Sequence, residues 1–240
     1  MITADAFHAL TQSLAPSGTR LVAVSKFQPV EKIRALYDLG QRDFGENYAQ
    51  ELAEKAPQLP SDIRWHFIGH LQKNKVKYIA PFVHLIHSVD SYELLAEIQK
   101  RAASSPSFGG GEGGGRTIDV LLELKVAEEA TKHGLGETEI IRLLDQLDAQ
   151  ADGFGNIRVC GLMAMASFTS DEAQLSKEFT RAQTAFQHLK STYFFLKPYF
   201  NTLSMGMSGD YQLAIAHGST LVRIGTMLFG RRPASGDSQG

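Results

Sequence analysis

A chain of 240 residues, 43% hydrophobic and 21% charged, is long enough to bury a sizeable core as one domain. Its formal net charge of −2 lacks the basic excess that drives nucleic-acid binding through counterion release, so a polyanion partner is disfavoured. A single cysteine rules out an internal disulfide, and no run of about 18 apolar residues offers a membrane span.

The N-terminal stretch "MITADAFHALTQSL" has no basic leader followed by an unbroken apolar run, so the expected compartment is the cytoplasm. After an N-terminal helix, apolar runs of strand length alternate with amphipathic segments of helix length. The runs are Leu21–Ser25, Asp43–Gly45, Trp65–Gly69, Leu85–Val89, Ile118–Val126, Val159–Ala166, Thr202–Met205 and Leu221–Gly225. Pro29 suits a first helical turn, Val30, Ile33, Leu36 and Tyr37 share one face, and Gly40 is a stop. Further on, Thr169 and Glu172 have capping-box spacing ahead of a stripe formed by Leu175, Phe179, Ala182, Phe186 and Leu189.

Eight strand–helix units predict an α/β fold, a single (β/α)8 TIM barrel with an extra N-terminal helix over residues 1–231; an open doubly wound sheet is the alternative. "SSPSFGGGEGGGR", residues 104–116, contains a formal G-x-G-x-x-G at Gly109, Gly111 and Gly114. It precedes a strand instead of joining a strand to a helix, and is read as a flexible insertion. The polar tail, 232–240, is expected to be disordered. Cys160, inside an apolar run, is read as a small buried hydrophobe.

In such a barrel the loops after the strands build the site. The predicted strands end in Lys26, in Glu46 and Asn47, in His70, in Ser88, in Ser204 to Ser208, and in Arg223, Gly225 and Thr226. A lysine at the inner rim loses hydration, which lowers its pKa and frees the amine to attack an aldehyde, although solvated strand-end lysines are the commoner case. "SMGMSGD" and "RIGT" place small residues and backbone amides after strands seven and eight, where such barrels hold phosphate; either loop by itself could be a plain tight turn. Arg223 pointing inward is a costly buried charge unless it meets an acceptor such as a pyridine nitrogen. Amine, amides and guanidinium together describe a site for pyridoxal 5'-phosphate, PLP.

The segments "LVAVSKFQP", "GQRDFGENYAQEL", "WHFIGHLQKNK", "HSVDS", "GLMAMA", "LSMGMSGD" and "GSTLVRIGTMLFG", spread over residues 20–231, resemble the pyridoxal phosphate homeostasis protein family, itself similar to the N-terminal barrel of alanine racemase. The resemblance implies a cofactor bound as a Schiff base on Lys26, with Asn47 near the ring, Ser208, Gly225 and Thr226 at the phosphate and Arg223 at the ring nitrogen. It also carries over Ser204 and His66. The implied role is to hold and deliver PLP, influencing amino-acid and keto-acid balance without robust catalysis, as a monomer whose partners are PLP-dependent apo-enzymes. His70 and the Gly-rich segment depart from the family pattern.

A racemase would need a second acid/base group across the ring from Lys26, and little chain remains after the eighth strand to supply it. A metal-dependent hydrolase is suggested by the spacings His66/His70 and His84/His87. Residues four apart on a strand are about 13 Å apart, however, so the histidines are read as satisfied or solvated and no metal is expected. The basic run "HLQKNKVKYI" is read as a solvated face and not as a nucleic-acid site, an acidic partner protein or a phosphate approaching the cavity mouth being the better use for Lys73, Lys75 and Lys77.

Overall fold

The computed structural model describes residues 4–105, 115–127, 133–150 and 153–230. Eight parallel strands close into a barrel in sequence order: β1 (Arg20–Val24), β2 (Asp43–Glu46), β3 (Arg64–Phe67), β4 (Leu85–Val89), β5 (Ile118–Leu124), β6 (Ile157–Ala164), β7 (Thr202–Ser204) and β8 (Leu221–Ile224). β1 pairs with β8 through Val22↔Arg223, which shuts the ring. Around it run α1 (Ala4–Leu14), α2 (Val30–Asp38), α3 (Ala49–Lys55), α4 (Val76–Ile79), α5 (Tyr92–Ala103), α6 (Glu137–Asp148), α7 (Glu172–Thr192), α8 (Tyr211–Ala216) and α9 (Thr226–Phe229). This is a (β/α)8 barrel with an added N-terminal helix. In α1, Phe7, Leu10 and Leu14 are buried at helical spacing, and the helix packs on β1 and α9.

Period-two alternation divides the apolar side chains between two cores. Val120, Leu122 and Leu124 of β5 join the large cluster between barrel and helices, while Leu121 belongs to a small second cluster with Leu85, Cys160 and Met163, all strand residues, inside the barrel. A register shift after Val120 sets Leu121 opposite Gly161. Gly161 has φ 151°, and a Cβ there would lie 1.8 Å from the Thr202 carbonyl oxygen, so only glycine lets β7 close on β6. Burial raises the Cys160 thiol to about 12, as befits a packing residue.

The expected stripe on α7 is buried as read, but its cap lies two residues later: Asp171 Oδ1 accepts from the amides of Ala173 and Gln174, and Thr169 Oγ1 accepts from Asp171 instead. An acidic side chain already at the helix start meets the orphan amides sooner than the threonine could. Pro29 is the N-cap of α2, one residue outside the helix. The strands β3, β5 and β6 end two residues earlier than expected, because their last residues turn into the loops that carry the polar groups. Most of the predicted Gly-rich insertion and all of 232–240 lie outside the described residues. At the edge of that insertion Arg116 is fastened to the carbonyls of Ala80 and Val83 at 3.0 and 2.6 Å. Among the described residues no helix is long and apolar enough to cross a membrane.

Candidate functional site

Lys26 follows the apolar strand β1 and is held in place by its neighbours. Phe27 adopts φ 62°, a left-handed conformation that non-glycine residues avoid, and its amide donates to Glu51 Oε1 at 2.6 Å. Lys55 Nζ holds that carboxylate at 2.6 Å and also reaches Glu46 Oε1 at 2.9 Å and the Ser25 carbonyl at 2.9 Å. Ser25 Oγ completes the knot with a 2.6 Å bond to Glu46 Oε1. Glu46 and Lys55 are both buried; burial pushes the Glu46 carboxyl up, and the Lys55 ammonium opposes it. α3 thereby clamps the turn from which Lys26 projects.

That turn opens into a cleft of about 540 Å³ at the C-terminal mouth of the barrel. Lys26, Asn47, Ser208, Arg223, Gly225 and Thr226 all line it. A groove of about 650 Å³ by Lys73, Glu93, Glu97 and Lys100 is larger, yet it lies on the outer helices among charged surface side chains and contains no strand end. The strand-end cleft is where a (β/α)8 barrel does chemistry. The loop after β7 is shaped by Gly206 at φ 94°, where a Cβ would press to 2.7 Å from Ala214 Cβ, and by Asp210, whose carboxylate accepts from the Met207 amide. The loop after β6 is fixed by the buried Glu178, which accepts from Ser167 N at 2.6 Å and Ser167 Oγ at 2.7 Å.

Arg223 is 4% exposed. It donates to Ser204 O, Ser204 Oγ and Ala164 O at 2.8, 2.6 and 3.1 Å, and among the described residues no carboxylate lies within ion-pair distance. Burial lowers it to about 10, with Asp210 and Glu123 acting in the opposite direction from farther away. Asn47 Oδ1 is buried without a hydrogen-bond partner among the described residues. A guanidinium that meets only neutral acceptors among the described residues and an orphaned amide oxygen beside one cleft fit a polar ligand that offers both an acceptor and a donor.

Behind Arg223 the barrel interior is polar. Ser204 Oγ lies 3.1 Å from His87 Nδ1, His87 Nε2 lies 2.8 Å from His66 Nδ1, and His66 Nε2 lies 2.9 Å from Asp43 Oδ1. Burial lowers both histidines, His87 well below its ordinary value, so each ring is neutral and carries one proton. Burial works against ionisation of Asp43 as well, but Arg64 and His66 outweigh it and hold the carboxyl far below its usual range. With Asp43 an acceptor only, every proton is assigned: His66 donates to Asp43, His87 to His66, Ser204 to His87 and Arg223 to Ser204. One oriented file of hydrogen bonds joins the cleft to the opposite mouth of the barrel.

This file predicts acid lability. Histidines whose folded pKa is depressed add stability at neutral pH that is lost as pH falls below 6.5, because the unfolded chain then takes protons that the folded one refuses. His84, lowered to about 4 mainly by burial, acts in the same window. Each contributes up to about 1.4 kcal/mol per pH unit. The urea midpoint should fall steadily from pH 6.5 to 5 and fall less steeply in His87→Gln. Glu123, pushed up to about 7 mainly by burial, and Glu46, also raised, act in the opposite direction as pH falls, so equal slopes in the parent and His87→Gln would contradict a neutral buried His87; Asp43 acts only below its unfolded value of 3.8.

The structure does not bring every expected residue to the cleft. His66 is fully buried between Asp43 and His87, because its strand register turns it inward below the cleft, and Ser204 meets the cleft only through Arg223. Glu46 belongs to the clamp under Lys26, and Ser88 Oγ ties the Gly69 carbonyl. Lys75 and Lys77 of the basic run lie over the Tyr78 ring. Asp43, Glu51 and Lys55 had drawn no attention in sequence as site residues, and His87 had entered only through its spacing to His84, read as satisfied or solvated. Only the Glu51/Lys55 spacing of four was a readable signal, and it normally marks a surface helix pair.

The class defined by fold and cleft is the alanine racemase N-terminal barrel: the family model "Alanine racemase, N-terminal domain" matches residues 6–233. The Streptomyces coelicolor alanine racemase, 21% identical with a TM-score of 0.71 over 97% of this chain and 60% of its own, shares that fold. Within this class the chain belongs to the pyridoxal phosphate homeostasis protein family. It is 39% identical to the Aquifex aeolicus pyridoxal phosphate homeostasis protein over 89% of this chain and 87% of that protein. It also superposes on PipY of Synechococcus elongatus PCC7942, solved without PLP (34% identity, TM-score 0.82, 96% and 100% covered) and with PLP bound (33%, 0.77, 95% and 99%).

Proposed function

We propose that this chain binds PLP reversibly as a Schiff base on Lys26 and serves cofactor homeostasis, holding PLP and delivering it to apo-enzymes, without being a dedicated catalyst. The observation that carries the reading is the meeting in one cleft of Lys26, a buried Arg223 with no carboxylate partner among the described residues, and the small-residue turns at Ser208 and at Gly225 and Thr226. The bound group supplies an aldehyde, a phosphate and a ring nitrogen. Unprotonated Lys26 condenses with the aldehyde, a C=N bond forms and water leaves. Ser208, Gly225 and Thr226 hold the phosphate, Arg223 donates to the ring nitrogen, and Asn47 sits beside the ring.

The solved PLP complex of PipY supports this reading. Borohydride reduction of the PLP-loaded chain followed by peptide mass mapping should place the pyridoxyl group on Lys26. A label on any other lysine, or none, refutes the assignment. Incubation with each alanine enantiomer should give no racemisation at ordinary enzymatic rates.

A further inference from the structure

Across the mouth from Lys26, three residues the cleft does not use come together. His70 follows β3, Asp90 follows β4 and His133 follows β5, and one donor atom from each lies within 4.8 Å of the other two. We propose that His70, Asp90 and His133 form a binding site for a zinc-type divalent cation, on the same face of the barrel as the cleft but separate from it.

The spacing fits an ion better than a direct contact. His70 Nδ1 stands 3.5 Å from Asp90 Oδ2, too long for an imidazole–carboxylate hydrogen bond. Two donors each about 2.1 Å from a tetrahedral ion are about 3.4 Å apart. The imidazoles of His70 and His133 stack face to face at 4.5 Å with planes 18° apart, so binding one ion requires at least one ring to turn about its side-chain bonds, which their exposure allows. Asp90 is oriented from its other oxygen, Oδ1, which accepts from Ser91 Oγ at 3.3 Å, and Oδ2 is the oxygen near His70. The arrangement has the orienting partner that metal-ligating carboxylates ordinarily have.

Buried Glu123 lines the same small cleft as His133, and burial together with the nearby Asp90 pushes its carboxyl up to about 7. Two imidazoles and one carboxylate suit zinc and its neighbours far better than magnesium or calcium. His70 and His133 are exposed, which leaves a coordination position open to solvent, as in three-ligand zinc sites generally.

The test is titration of the full chain, free of any polyhistidine tag and stripped with chelator, with ZnCl2 and separately with MgCl2. One zinc should bind per chain, saturably, and magnesium should not compete. His70→Ala, Asp90→Asn and His133→Ala should each weaken zinc by at least about tenfold, no less than the loss of a supporting partner costs. Because both histidines are exposed, their variants should keep the parent melting temperature, so a loss of zinc reports ligation and not unfolding. Absence of saturable one-to-one zinc binding, or undiminished affinity in both histidine variants, overturns the proposal.

Discussion

Lys26→Ala should abolish the visible absorption that the parent chain develops with PLP. The band requires a C=N bond, and among the described residues lining the cleft Lys26 is the one lysine, held by Phe27 at φ 62°, its amide on Glu51, and Glu51 on Lys55. Loss should be complete, while weaker non-covalent binding through Arg223 and the turns after β7 and β8 survives and can be followed by equilibrium dialysis. A variant that keeps the band would remove Lys26 from its proposed role, whatever becomes of PLP binding itself.

The second large effect is on stability. Lys55→Met leaves Glu46 at 0% exposure with no cation, and Glu46 Oε2 already lacks a hydrogen-bond partner among the described residues. Breaking a buried pair from one side costs about 3–5 kcal/mol, which in a chain of this size lowers Tm by roughly 10 °C. Replacing both members, Lys55→Met with Glu46→Leu, should recover most of that loss, because two apolar groups need no compensation. The single variant should also load PLP less completely, since Glu51 loses the ammonium that holds it under Phe27. If the double variant is no more stable than the single one, the pair is not the unit of stability argued here.

The barrel was readable because its signals are local. Apolar runs of strand length, the stripe on α7 and the polar residues at strand ends all follow from period and punctuation in the sequence. The residues of the cleft were legible for the same reason: each ends a strand, and closing the sheet brings strand ends to one rim. What could not be read depends on which strands stand opposite across the barrel. His87 and His66 lie 21 residues apart and look like unrelated polar interruptions of apolar strands until the ring closes. His133 joins His70 and Asp90 across 63 residues, a distance no spacing rule covers. The barrel interior holds a small apolar cluster beside a polar file.

That file constrains how the sequence can change. His66, His87 and Ser204 each give a single proton in one direction only, so exchanging any one for a residue with a different donor pattern leaves a mismatch at both of its neighbours. Mutational drift inside this barrel should therefore proceed by concerted replacements of adjoining members. A library randomising His66, His87 and Ser204 together should yield folded variants that none of the three yields when varied alone.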